Sequence, residues 1–273
     1  MLKIAVFTNR TKDKSLDFAD KVVSYLSEKA HVYMPDDIKL LTDYGITYMP
    51  YKEIFSFAEI AVVIGGDGTI LRTASDCAVS HIPALGINLG TVGFLTEVEV
   101  SDIEYALDKL LAGQYVKEKR MLLKATINDD EERHVLNDIV VSKRDHQQLI
   151  HLDLYADGEL VYHYKSDGLI IATPTGSTGY SISAGGPVVD PTMDLYIATP
   201  ICAHMLLARS AVLPANKMLE IRLGRLDAIV CADGSKQRII TCDDIIKISK
   251  SEYEFELIKI GKNSFYNTLI NKL

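Results

Sequence analysis

The chain has 273 residues and a mass of 30.3 kDa, enough for one large domain or two modest ones, with 48% apolar and 24% charged residues. That balance excludes a disordered chain, and 17 Gly with 8 Pro exclude a collagen-like or low-complexity one. A net charge of −8 leaves no bulk footprint for nucleic acid, so any anion must be held by local donors.

Residues 2–7 read as a buried first strand rather than a leader or a span, since no run approaches ~20 apolar residues. Leu16, Ala19, Val23, Leu26 and Ala30 then recur at helical spacing, with Ser15 as the expected N-cap. Segment 34–57 shows no period and is expected to be irregular. Residues 60–64 are a continuous apolar run ending in Gly65-Gly66, the pattern of a central parallel strand. A helix is expected from about Thr69 and a strand over 83–88. Ser101 and Glu104 read as a capping box, opening a helix with Ile103, Ala106, Leu107, Leu110 and Leu111 on its apolar face. Alternation of this kind implies βαβ units around a parallel sheet.

Beyond about residue 115 the pattern changes. Runs 121–127 and 134–142 flank Asn128-Asp129-Asp130, 149–155 and 159–164 flank Asp157-Gly158, and 227–232 and 236–241 flank Asp233-Gly234. Asp-Gly between alternating runs marks tight hairpins, so this half is expected to be antiparallel β. The resulting organisation is an α/β domain over 1–112, a β-rich domain over 113–260, and a segment 261–273 that packs back on the first domain. Cys77, Cys202, Cys231 and Cys242 lack metal or redox spacing and read as reduced thiols of a cytoplasmic protein, Cys202 and Cys231 as small core residues. His146 and His151 do not make a shared ligand face, and no metal-ligating residue is assigned.

Two segments carry chemistry. In the first, Ala61-Val-Val-Ile-Gly65-Gly66-Asp67-Gly68-Thr69, a buried strand runs through glycines into a helix, which presents backbone N–H groups to an anion. It matches neither the Walker loop nor G-x-G-x-x-G. Asp67 beside phosphate costs Coulomb repulsion, so it needs a compensating role. It could take the proton of a substrate hydroxyl, bind through Mg²⁺, or merely cap the helix at Thr69. Arg72, one turn on, could reach a phosphate. The second segment, residues 166–187, is an apolar strand followed by a loop dense in hydroxyls and glycines, with Tyr180 offering a ring to a base.

Together these segments resemble the NAD kinase family. Gly65-Gly66-Asp67-Gly68-Thr69 matches its Gly-Gly-Asp-Gly-Thr signature, which 6-phosphofructokinases and diacylglycerol-type lipid kinases share more loosely. Asn137-Asp138, Asp167-Gly168, Thr173-Pro-Thr-Gly-Ser-Thr178, the loop Gly90-Thr-Val-Gly93-Phe94-Leu95 and Phe265-Tyr266 extend the likeness over nearly the whole chain. The resemblance implies a Rossmann-like α/β domain and a β-rich domain, with ATP as phosphoryl donor, NAD as acceptor, Mg²⁺ or another divalent metal, and a homodimer or homotetramer without nucleic-acid or membrane partners. It implies that Asp67 contacts the adenosine ribose of NAD and assists loss of its 2′-hydroxyl proton, with Gly68 nearby. Gly65, Gly66, Gly68, Thr69 and Arg72 would face the donor phosphates. Asn137 and Asp138 would hold ribose and adenine-side groups, and Asp167 would accept from the nicotinamide carboxamide. Thr178, Gly179, Tyr180 and Ser183 would surround the adenine, with Phe94 lining the pocket. The family usually has Glu where Asp138 stands and Ala where Gly179 stands. Alternatives on the same scaffold are a lipid or sugar-phosphate kinase, or a non-catalytic dinucleotide sensor.

Overall fold

A computed structural model describes residues 1–90, 93–128, 130, 132–145, 148–204, 209–261 and 264–272. Features expected at Thr91, Val92, Asp129, His146 and Leu273 lie outside the described residues. The chain divides into two compact units, Met1–Lys119 with Glu254–Leu273, and Arg120–Tyr253.

The first unit alternates β1 (Lys3–Thr8), α1 (Asp17–Ser27), β2 (His31–Pro35), β3 (Thr47–Met49), α2 (Tyr51–Ile54), β4 (Ile60–Gly65), α3 (Asp67–Val79), β5 (Ala84–Asn88), β6 (Val98–Glu99) and α4 (Ile103–Leu111). Its parallel sheet has the order β5-β4-β1-β2-β3, and β4 is buried at every position, as a strand covered by helices on both faces must be. Ile4, Val6, Val62, Ile64, Leu85 and Ile87 form the core with the inward faces of α1 and α4.

Local punctuation differs from expectation in three places. Leu16 takes φ +64°, so α1 begins at Asp17 and Ser15 only donates to the Asp17 carboxylate at 2.6 Å. The cap is Asp13, which is buried and accepts the amides of Phe18 and Ala19 at 3.2 and 3.0 Å. The left-handed residue folds the chain back far enough for this earlier carboxylate to reach the helix start. Ser101 falls inside a 3₁₀ turn, Val100–Asp102, so the expected capping box does not form, although Ile103, Ala106, Leu107 and Leu110 are buried. Segment 34–57 holds the end of β2, β3 and α2 rather than irregular chain alone.

The second unit holds most of β7 (Val116–Ile127), then β8 (Arg133–Val135), β9 (Asp138–Lys143), β10 (Ile150–Ala156), β11 (Glu159–Ser166), β12 (Gly168–Ala172), α5 (Tyr180–Ser183), β13 (Leu195–Ile201), β14 (Ala211–Pro214), β15 (Leu219–Leu223), β16 (Ala228–Ala232), β17 (Ser235–Ile240) and the first part of β18 (Ile245–Lys259). α6 (Phe265–Lys272) closes the chain and belongs to the first unit. Six strands form an antiparallel sheet, β14-β13-β12-β9-β16-β17. A second set runs β11-β10-β15-β18, with β7 pairing β18 and β8. Both Asp-Gly turns are tight hairpins with positive φ at each central residue: 50° and 80° at Asp157-Gly158, 46° and 68° at Asp233-Gly234. The run 134–142 is not one strand. It breaks at Leu136-Asn137 into β8 and β9, which belong to different sheets.

Cys77 is buried, but Cys202 and Cys242 are exposed and Cys231 is half-buried. Cys202 sits in a left-handed turn (φ +46°) past β13, and Cys231 occupies an outward position of the alternating β16, so neither is a core residue. Among the described residues no helix is long and apolar enough to cross a membrane.

Candidate active site

In the first unit β4 ends at Gly65 and the chain turns through Gly66 straight into α3. The helix starts at Asp67, two residues earlier than expected, which makes Asp67 a first-turn residue. A Cβ on Gly65 would overlap the Thr69 side chain, and nothing lies within 4 Å of one built on Gly68. Thr69 is buried, and its hydroxyl accepts the Gly66 amide at 3.3 Å and the Asn9 side-chain amide at 3.1 Å. The first amides of a helix have no intrahelical acceptor, so this turn presents donors to an anion.

The Asp67 carboxylate accepts the backbone N–H of Phe94 at 2.8 Å and of Leu95 at 3.1 Å. Its bonds therefore go to the loop after β5, not to its own helix, which removes the capping alternative. Gly93 makes this approach possible, because a Cβ there would overlap the carboxylate. A carboxylate has about four lone-pair sites, so the two amides fix its direction and leave acceptor capacity. Phe94 is half-buried and packs on Phe265 with ring centroids 5.8 Å apart. Arg72 is exposed one turn along α3 and borders a cavity of about 750 Å³ with Asn9, Arg10, Thr11, Tyr51 and Thr69.

In the second unit Asn137 and Asp138 lie at the β8–β9 break, whose backbone is gripped by Asp233. That carboxylate accepts the amides of Leu136, Asn137 and Asp138 at 2.8, 2.8 and 3.1 Å. Burial and then the Asp233 charge push the Asp138 carboxyl up to about 7. The Asn137 side-chain oxygen is buried without a hydrogen-bond partner, an acceptor a ligand could use. Loop 173–178 is stitched onto the same break. Thr173 donates its hydroxyl to Leu136 O at 2.6 Å and its amide to Asn137 O at 2.8 Å, and a Cβ on Gly176 would overlap Asn137 O. Gly179 is close as well, a Cβ there lying 3.3 Å from Asn137 Nδ2 and 3.8 Å from Asp138 Oδ2.

The hydroxyls of this loop divide into two groups. Thr173, Ser177 and Ser181 are fully buried and bonded within the protein, Ser181 to Thr199 at 3.0 Å. Their density, read from sequence as a binding feature, is in part internal wiring. Thr178 is half-buried, while Tyr180 and Ser183 are exposed and remain available to a ligand. Asp167 is not among this group. It precedes β12, whose far end, Ala172, pairs with Asp138, so it lies roughly 16 Å along the strand from the break. There it forms an ion pair with Lys143 at 2.5 Å. Arg120 is buried beneath the loop and donates to the Thr175 hydroxyl at 3.3 Å. Among the described residues one trio has metal-ligand spacing, Glu132, His134 and Glu252, and the Lys124 ammonium already lies 3.5 and 3.2 Å from the two carboxylates.

Residues 4–115 match the ATP-NAD kinase N-terminal domain and residues 136–260 the ATP-NAD kinase C-terminal domain. The chain belongs to the NAD kinase family. It is 37% identical to an NAD kinase of Heliobacterium modesticaldum over 282 residues, covering 100% of this chain and 99% of that protein. An NAD kinase of Caldanaerobacter subterraneus is 38% identical over 280 residues with the same coverage. The fold is similar to that of yeast NADH kinase complexed with NADH (TM-score 0.89, 25% identity, 100% of this chain and 87% of that one). It is also similar to that of an Archaeoglobus fulgidus NAD kinase in complex with ATP (TM-score 0.79, 28% identity, 99% and 98%). Family membership makes the chain an NAD kinase by activity, a phosphotransferase acting on a hydroxyl, and not a lipid or sugar-phosphate kinase.

The sequence did not point to Asn9, Asp233, Arg120 or Lys143 as partners of site residues. Asp233 was visible as a turn residue. The available hint for Arg120 was its place directly before the continuous apolar run Met121-Leu-Leu123.

Proposed function

We propose that this chain moves the γ-phosphoryl group of ATP to the 2′-hydroxyl of the adenosine ribose of NAD, giving NADP and ADP. One observation carries the reading. Asp67 stands in the first turn of α3, directly after a glycine turn at the end of a buried parallel strand, and is aimed by two amides of another loop. A carboxylate there repels phosphate, and this reaction supplies its use: the ribose hydroxyl must lose a proton as its oxygen attacks. Asp67 takes that proton. The new bond joins the 2′-oxygen to the γ-phosphorus, the bond to the β,γ-bridging oxygen breaks, and its electron pair leaves with ADP.

Gly65, Gly66, Gly68 and Thr69 hold the donor phosphates and Arg72 adds a cation, while the adjoining cavity of about 750 Å³ has the size of a nucleoside site. Asn137 and Asp138 bind ribose and adenine-side groups, with the unpartnered Asn137 oxygen in support. Thr178, Gly179, Tyr180 and Ser183 surround the adenine, Gly68 and Phe94 contact NAD, and Asp167 accepts from the nicotinamide carboxamide. The NADH and ATP of the yeast and Archaeoglobus kinases support both ligand classes. Asp67 also fits Mg²⁺ or another divalent ion, which is usually bound through one or two carboxylates plus substrate phosphates and would neutralise charge on the transferring group. In this reading residues 1–112 with 261–273 carry the glycine-rich loop that holds the donor and also contribute Asp67, Gly68 and Phe94 to NAD, while 113–260 form the main NAD-binding domain. The enzyme is placed in the cytoplasm as a homodimer or homotetramer, and its net charge of −8 argues against a nucleic-acid or anionic-membrane partner.

The test is Asp67→Asn, expected to lower kcat at least ~10²-fold while circular dichroism stays that of the parent. Near-parental turnover would remove Asp67 from the chemistry and the reading with it.

A further inference from the structure

The glycine turn before α3 carries no lysine, whereas a Walker loop places one directly after its glycines to meet the transferring phosphate. The fold brings one from elsewhere. Lys12, in the loop between β1 and α1, lies over Gly66 so closely that a Cβ built there would be 2.7 Å from its Nζ. This placement is fixed on both sides. Asn9, three residues before Lys12, donates its side-chain amide to Thr69 Oγ1 at 3.1 Å, and its backbone amide bonds Ile64 O at 3.0 Å. Asp13, immediately after, is 2% exposed and accepts from the Thr8 hydroxyl at 3.0 Å and from two α1 amides. Lys12 N–H bonds Asn9 O at 2.9 Å, closing the turn. No carboxylate among the described residues pairs with the Lys12 ammonium. A cation held over an anion-binding turn, on an anchored loop, with its charge uncompensated, is arranged for an anionic ligand.

We infer that Lys12 is a catalytic residue of this chain. Its ammonium binds the β- and γ-phosphate oxygens of the donor and neutralises charge as the bond to the bridging oxygen breaks. This deepens the NAD kinase reading and rests on it. The proton of the ribose hydroxyl still goes to Asp67, and Lys12 keeps its own protons throughout. Arg10 and Arg72 border the neighbouring cavity instead, which leaves Lys12 as the cation at the glycine turn among the described residues.

The experiment compares Lys12→Met and Lys12→Arg with the parent in steady-state kinetics, varying ATP and NAD separately. It adds direct binding of a non-hydrolysable ATP analogue and thermal melting. Lys12 is exposed, so both variants are expected to melt with the parent. Lys12→Met is expected to lose at least ~10²-fold in kcat/KM for ATP and to bind the analogue at least tenfold more weakly, with KM for NAD within twofold. Lys12→Arg is expected to recover most of the loss. The inference is overturned if Lys12→Met keeps kcat/KM for ATP within threefold, or if KM for NAD and the melting point move together with it, the mark of a structural role. Asp67→Asn run alongside separates the two levels. Full activity there defeats the NAD kinase site itself, whereas full activity in Lys12→Met alone defeats only the lysine.

Discussion

Asp138 is 6% exposed and lies beside Asp233. The two carboxylates divide their roles by hydrogen bonding. Burial raises both carboxyls; the three amides that Asp233 accepts work against its rise, whereas burial and then the Asp233 charge take Asp138 from 3.8 to about 7. The consequence for stability has a definite sign. Between pH 4 and 7 the folded chain binds a proton at Asp138 that the unfolded chain has released. Stability from this group is therefore complete below about pH 4 and is lost as pH rises through 7. Asp157 and Asp244 work the other way, since hydrogen bonds from Lys217 and from the Thr241 amide, respectively, lower their carboxyls. The informative quantity is thus a difference. In urea unfolding from pH 5 to 8, Asp138→Asn is expected to gain stability relative to the parent as pH rises. Parallel pH curves for the two proteins would show that Asp138 is ionised throughout.

At the scale of elements, the second unit turns on the break between β8 and β9, where one apolar run changes sheets. Three consecutive amides at that break have one carboxylate for a partner, 97, 96 and 95 residues further along the chain. Hydrogen bonds to a charged group contribute about 1.5–3 kcal/mol each, and unpaired buried amides cost a comparable amount. Asp233→Ala is expected to destabilise the protein by roughly 3 kcal/mol and raise KM for NAD, because Asn137 and Asp138 lose their support. A melting point equal to that of the parent would show the break to be held by loop 173–178 instead. This residue also marks the boundary of what sequence can tell. The Asp-Gly pair announced its hairpin through φ preferences that depend on neighbours alone, and the continuous apolar run of β4 announced a buried parallel strand in the same way. The grip of Asp233 on 136–138 depends on a partner about a third of the chain away, which no local pattern encodes. The burial of Arg120 under a loop 55 residues on is of the same kind, whereas Asp13 caps α1 in place of Ser15 through the left-handed turn at Leu16, a local conformation that residue type does not announce. Gly65-Gly66-Asp67-Gly68-Thr69 was legible because strand, turn and helix start are consecutive in sequence. That Phe94 and Leu95 aim its carboxylate was not.

At the scale of the whole molecule, the first unit is assembled from both ends of the chain. The returning part of β18 pairs Leu257 with Ala84 at the edge of β5 and contributes Phe255, Leu257 and Ile258, each fully buried. Burying one such side chain is worth about 1.5–3 kcal/mol, so losing all of them removes an amount comparable with the whole stability of a typical domain. A chain ended after Tyr253 is therefore expected not to accumulate as folded protein. A chain ended after Gly261 keeps those residues and the bond from the Gly261 amide to the Glu97 carboxylate at 3.0 Å, and loses only residues 262–273, α6 included. The ring of Phe265 then no longer covers Phe94, whose amide aims Asp67. Phosphoryl transfer tolerates little misplacement of its base, so kcat is expected to fall roughly tenfold or more while the melting point moves by only a few degrees. The variant Phe265→Ala in the full-length chain should reproduce most of that fall. Turnover equal to the parent in both would mean that the loop after β5 holds Asp67 without help from the end of the chain.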